Sequence, residues 1–477
     1  MSEVTAKLAE FVPATQYKDL PAPVVQRVKE VLLDSIGCAL GGYVTDRAKI
    51  AIAMSESFGM QPEATILGYR KASCSAASFV NAELINCLDF DVLGPIGGHV
   101  APYVLPPVLA LSEKTNRSGQ ELILGLALAL EIGGRMTASL SHLKIAKSEP
   151  PYYEEAPRFS YTSCIFGGVA GACKVLGLGA DKVRNAFGIG GSSTPIPAGI
   201  KWEHIEPPAV NLKYGCWAGW VAMLGAVAAL AAQKGFTGDP SVLDGKSGFW
   251  QMYGSPFFKE EAVLGNLGKV WITERMNFKS FPACYIDHTS MAGIRQLVNE
   301  NHIKPEEIDE IVSYGDPLMQ TPNRLHKEIR TNEDAQFAHS YLFAMAACHP
   351  EAAGPQWVMP SSFNDPVIKN LMSKVKVKTH PRAAEIMAEK LKAGAYANFR
   401  NVIVEIAARG KKFSTEVAVA KGEPADPMTP AEHADKFLLN ASYSPLKPGR
   451  AEQVMEAVSK LDRLASTAEL TRLLVAA

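Results

Sequence analysis

Apolar residues recur every three to four positions through most of the first half of the chain, in Ala-rich runs broken by glycine at 31–42, 77–87, 104–114, 120–135 and 167–176. That period lines one face of a helix, so these runs predict helices, and period-two alternation is almost absent among them. The stretch 214–233 carries no charge over a length that could cross a bilayer. Its richness in Ala and Gly points instead to a helix buried in a large core. From about residue 278 the pattern changes: short β-rich stretches at 310–314, 374–378 and 402–406 alternate with helix-like segments such as 333–347. The segment 401–422 holds two alternating runs around Arg-Gly-Lys-Lys and predicts a hairpin with Gly410 in its turn. Past Pro427 the helical period returns, at 429–437 and 450–476. If that tail packs on the first half, the helical domain is discontinuous and the α+β part is an insertion.

Composition narrows the class. With 477 residues and 47% hydrophobic content, the chain can bury more than one core of the usual domain size. Its 48 basic and 49 acidic residues leave a net charge of -1, with no basic excess of the kind that binds nucleic acid. The eight cysteines form no C-x-x-C pair and sit mostly in apolar surroundings, which suits reduced core residues and a cytoplasmic protein. The start, MSEVTAKLAEFV, lacks the basic and apolar pattern of a secretory signal, and no membrane partner is expected.

Three windows carry titratable groups. In 86–113 a run of small residues ends in Asp89 and Asp91, a Pro/Gly loop and His99. Two carboxylates spaced by two cannot share a helix face, but at a helix end both can reach one cleft; a cap and a histidine bonded to backbone would leave the same pattern. In 277–293, Lys279, Cys284 and His288 surround a proline ahead of a helix start, an arrangement suited to a carboxylate and equally to a surface lysine and an N-cap. In 211–220, Lys213 opens the uncharged stretch and points either to solvent or into a cavity. No H-x-x-x-H or Cys/His cluster suggests a metal.

Taken together, VLLDSIGCALGG, LDFD with a following histidine and APYVLPPVLALSE, EIGGR, GVAGACKVLGL, GFTGDPSVLDGKSGF, FKSFPAC and the later KGEPADPMTP and HADKF resemble the MmgE/PrpD family over nearly the whole chain. The resemblance implies a mainly α fold, with a discontinuous all-helical domain (1–275 and 428–477) and an inserted α+β lid domain (276–427). It also implies a homodimer with the site between the domains, and neither metal nor organic cofactor. Asp89 falls on the first Asp of the family's D-[FY]-D-D motif and His99 on the histidine ten residues later. Lys279 and His288 fall on the Lys and His of its K-x-[FY]-P window, Lys213 lies beside the lysine ahead of its G-x-A-A helix, and Cys284 occupies a Cys/His position. By that resemblance Asp89, His99, Lys213 and Lys279 are catalytic and Cys284 and His288 bind substrate, and the polar groups Asp91, Arg158 and Tyr161 are expected to bind substrate with them.

The chain also departs from the pattern. Val92 and Leu93 replace two polar residues, and RFSYTSCIFGG, with Arg158, Ser160 and Tyr161, has no histidine where the family usually carries one. The expected activity is that of a lyase, a dehydratase or decarboxylase, acting on a small di- or tricarboxylate related to 2-methylcitrate or aconitate by proton transfer α to a carboxylate. An epimerase or isomerase of a polycarboxylate such as iminodisuccinate is the alternative, and a carboxylate-binding protein without turnover is the third reading. His99, polarised by Asp89, is the expected acid or base, and Lys213, Lys279 and Arg158 are the cations that hold developing charge.

Overall fold

The computed structural model describes residues 3–95, 98–140, 143–145, 153–155, 161–195, 202, 205–255, 258–392 and 400–476. The first half forms α1 (Val4–Ala14), α2 (Ala22–Gly41), α3 (Asp46–Met54), α4 (Cys74–Asn86), α5 (Ala101–Lys114), α6 (Gly119–Ser139), α7 (Ile165–Val175), α8 (Ala180–Ser193) and α9 (Ala218–Gln233). Each run with helical period lies on one of these and extends at most one residue beyond its bounds. Local chemistry sets several starts: Ser73 caps α4 through the Ala76 amide, and α6 opens with a capping box in which Ser118 and Glu121 each satisfy the other's free backbone N–H.

Among the described helices, α6 alone is long and apolar enough to cross a membrane, and 94% of its most apolar stretch is buried inside the protein. It lies against α7 so closely that a Cβ on Gly171 would sit 2.6 Å from the Gly125 carbonyl, and one on Gly167 would collide with the Ala129 carbonyl. The uncharged stretch becomes α9, which packs on α4, α5, α7 and α8 through Ala218, Val221, Ala222, Ala226 and Ala229. Trp220 and Val227, on its other face, remain exposed. Two short strand pairs, Ala64–Thr65 with Lys71–Ala72 and Leu143–Ile145 with Tyr153–Glu155, interrupt this helical half where no alternation announced them.

The second half adds α10 (His288–Asn301), β1 (Ile308–Gly315), α11 (His339–Cys348), β2 (Val375–Thr379), β3 (Val402–Ala408) and β4 (Lys411–Val417). The sheet order is β2-β1-β3-β4, with β1 parallel to β2 and the other pairs antiparallel. The β3–β4 hairpin turns through Arg409 and Gly410, both at positive φ, the geometry that favours a tight two-residue loop. Val402, Val404, Ile406 and Ala408 alternate inward along β3, and α10 packs against β3 and β4.

The chain then returns to the helical half. α12 (Pro430–Ala441), capped by Thr429 and Glu432, lies along α2, with Phe437 against Gly37. α13 (Arg450–Ser459) also touches α2. The eight cysteines are all free, and seven of them are buried.

Candidate active site

The site is built where α4 ends. Past Asn86 the chain turns through Asp89, at φ 52, a left-handed conformation that aspartate tolerates better than most residues. The loop is then pinned: Leu93 exchanges both backbone hydrogen bonds with Asn277 and forms a bridge with His99. Phe278, next along, donates to the Gly422 carbonyl. The segment carrying Lys279 is thereby held between the α4 loop and the end of the sheet region.

Within this frame Asp89, Asp91, His99, Lys213 and Lys279 meet, all at most 2% exposed. His99 lies between the two carboxylates, Nδ1 at 2.7 Å from Asp91 Oδ2 and Nε2 at 3.3 Å from Asp89 Oδ1. Lys279 Nζ donates to Asp89 Oδ2 at 2.6 Å, to the Asp89 carbonyl at 2.7 Å and to the Ala283 carbonyl at 3.1 Å. Lys213 Nζ donates to the Asn86 carbonyl at 2.7 Å and to Gln336 Oε1 at 2.9 Å, and lies 3.3 Å from Asp89 Oδ1. Both carboxylates of the first window therefore engage the histidine, and Asp91 is its closer partner.

Burial alone would raise the Asp89 carboxyl, but Lys279, Lys213 and His99 outweigh it and hold it well below the ordinary carboxylate range. Asp91 is lowered too, with His99 overcoming its burial. For His99, burial opposes the imidazolium, yet Asp91 and Asp89 win and raise its pKa above the ordinary 6.5. Lys213 is lowered, chiefly by burial, although Asp89 resists.

The remaining candidates are less uniform. The Tyr161 ring stands edge-on to His99 with centroids 5.3 Å apart. The Cys284 Sγ lies 2.9 Å from an Arg324 guanidinium nitrogen and 3.7 Å from the Tyr214 hydroxyl, and burial raises the thiol's pKa despite Arg324. His288 sits one step back, bonded through Nε2 to the Ala283 carbonyl that Lys279 also uses, with burial and Lys279 driving its pKa well down. Arg158 and Ser160 lie outside the described residues. Val92 and Leu93 are fully buried and put no polar side chain beside Asp91.

Four participants escaped the sequence reading. Tyr214, at φ 55, brings its hydroxyl to 3.5 Å from Asp89 Oδ1. Gln336 links Lys213 to the Cys87 carbonyl at 2.8 Å. Arg324 is buried beside Cys284. Lys436, on α12, reaches the carbonyls of Phe90 and Lys279. Only Lys436 had a signal, the HADKF stretch, and its spacing gave it no role. Among the described residues no group of three His, Cys, Asp or Glu side chains is arranged to hold a metal.

Two family profiles match this chain, the MmgE/PrpD N-terminal domain over residues 6–261 and the MmgE/PrpD C-terminal domain over residues 281–461. The chain belongs to the MmgE/PrpD family. Its mainly α fold with a small sheet region agrees with that membership. A cis-aconitate decarboxylase of Homo sapiens is 25% identical over 487 residues, covering 99% of this chain and 95% of the relative. One of Mus musculus is 25% identical, covering 99% and 94%. A cis-aconitate decarboxylase-like protein of Aspergillus oryzae is 24% identical, covering 99% and 97%.

Proposed function

We propose that this chain is a cofactor-independent lyase that decarboxylates or dehydrates a small di- or tricarboxylate. The observation that carries the reading is the buried cluster, where two carboxylates face two lysines and a histidine whose pKa is raised. Such a centre holds one positive charge more than its carboxylates neutralise, and burial makes an incoming carboxylate the natural partner. The names of the relatives, cis-aconitate decarboxylases, point to the same substrate class.

In the decarboxylation the bond to the departing carboxylate breaks and carbon dioxide leaves. The electron pair moves to the adjacent carbon, and Lys213 and Lys279 hold the charge. His99, whose imidazolium Asp91 and Asp89 favour, delivers the proton to that carbon. In a dehydration the same imidazolium protonates the departing hydroxyl, and Lys213, its pKa lowered by burial, takes the α proton in its neutral form, which leaves the cluster's charges balanced before that step. Asp91 orients the imidazole through Nδ1, Tyr161 packs edge-on beside it, and His288 shares the Ala283 carbonyl with Lys279.

A second reading, an epimerase, draws on Val92, Leu93 and the pairing of two possible proton carriers, His99 and Tyr161. Proton NMR in deuterated water over a panel of citrate-like and aconitate-like acids decides. New vinyl signals support the lyase, exchange without net product supports the epimerase, and no change across the panel leaves carboxylate binding alone.

A further inference from the structure

Lys436 stands behind the catalytic cluster, 8% exposed, and its ammonium has three N–H donors to place. Two go to the carbonyls of Phe90 and Lys279, each at 2.9 Å, and the ammonium also forms an ion pair with Asp34 Oδ2 on α2 at 2.6 Å. The Phe90 ring also lies under it, its centroid 3.9 Å from Nζ. Phe90 sits between Asp89 and Asp91, so the same two stretches send their charged side chains to the His99 cluster and one backbone carbonyl each to Lys436. On the far side is a cavity of ≈ 520 Å³ bordered by Phe90, Ser280, Phe281 and Leu439 as well as Lys436. The two stretches are otherwise joined by the Leu93–Asn277 backbone pair and by Lys279 on Asp89, and Lys436 adds a further tie between them on the side of that cavity.

We propose that Lys436 is a positioning residue of the catalytic centre, joining the stretch that carries Asp89 and Asp91 to the stretch that carries Lys279 and so fixing the distances around His99. This rests on the function proposed above. A buried Lys–Asp pair is often replaceable at little cost to stability, so a purely structural role predicts small and unspecific effects. A positioning role predicts a specific one: misplacement of catalytic groups by about 1 Å lowers kcat by about 100-fold.

The test is Lys436→Met in an Asp34→Asn background, which avoids an orphaned carboxylate, set beside Val454→Ala, a buried change on α13 that loosens the core elsewhere. Expected for the double variant is a fall in kcat of about 10- to 100-fold, with KM within about threefold. The His99 titration, followed by imidazole 15N NMR of the full chain, is expected to move down toward the ordinary 6.5. Val454→Ala is expected to lower the unfolding midpoint and leave both readouts in place. If the double variant does not fold, Lys436→Gln is read by the same titration. Unchanged kcat and titration in the Lys436 variants, or equal shifts in Val454→Ala, would overturn the proposal. Absent turnover in the wild-type protein counts against the lyase reading, while the titration still decides this one.

Discussion

His99 has carboxylates on both ring nitrogens, and that sets both its chemistry and its pH dependence. Its raised pKa favours the imidazolium, and activity that needs the imidazolium is expected to fall on an alkaline limb lying above 6.5. The groups facing it are Asp89, Asp91, Lys213, Lys279, Tyr161 and Tyr214. Removing the nearest of them by Asp91→Asn is expected to shift that limb to lower pH, checked by the pH profile of kcat/KM. The same pairing is visible in stability. With its folded pKa raised, His99 contributes stability that is complete below 6.5 and lost as pH rises through the folded value. Asp89 and Asp91, with folded values lowered, contribute stability that is complete above 3.8 and lost as pH falls through those values. Denaturant midpoints are expected to be flat between these limits and to decline on either side, and Asp91→Asn is expected to flatten the alkaline decline. At this scale the sequence showed which residue types gather near position 90. It could not show that Asp91 rather than Asp89 is the closer partner of His99, because the left-handed turn at Asp89 that aims both carboxylates is a tertiary outcome.

The elements differ in how far local pattern governs them. The β3–β4 hairpin was legible because strict alternation and a Gly in the turn are local signals; Gly410→Val is expected to cost about 1 kcal/mol in unfolding free energy, measured by denaturant titration. The run 333–347 reads as one helix, but the chain breaks at Ala338, which is extended at ψ 106. Gln336 lies just before the break. Its side chain is committed to Lys213 and the Cys87 carbonyl, partners more than a hundred residues away that no local period encodes. The tail 450–476 is likewise several short pieces, and here Ser466 with Glu469 forms a capping box that does mark a fresh start. The contact between α6 and α7 depends on glycines rather than on the apolar stripe. Gly167→Val, which drives a side chain into the Ala129 carbonyl, is expected to destabilise by about 1–3 kcal/mol or more, checked by thermal or denaturant unfolding.

Across the whole molecule, the site exists only because distant stretches converge: Asp89 and Lys279 are separated by 190 positions and Lys436 lies beyond both. Spacing alone left each window open to an ordinary structural reading, and the family resemblance joined the windows before the fold could. For Lys436 the HADKF stretch marked the place but not the role, which appears only when α12 lies against α2. The C-terminal helices are therefore expected to be indispensable: ending the chain at residue 427 removes Lys436 and bares the α2 surface that Phe437 covers, and loss of cooperative melting by circular dichroism is the expected result. The division into a helical unit (1–275 and 428–477) and an inserted unit (276–427) is a proposal that limited proteolysis can examine, with first cuts expected near its borders. The most direct measurement for the molecule as a whole is turnover of a di- or tricarboxylate by the wild-type chain and by His99→Gln, with both proteins confirmed folded. Product formation by the wild type and a loss of about 100-fold or more in the variant is the expected result. Equal turnover by the two proteins, or none by the wild type across the acid panel, would contradict it.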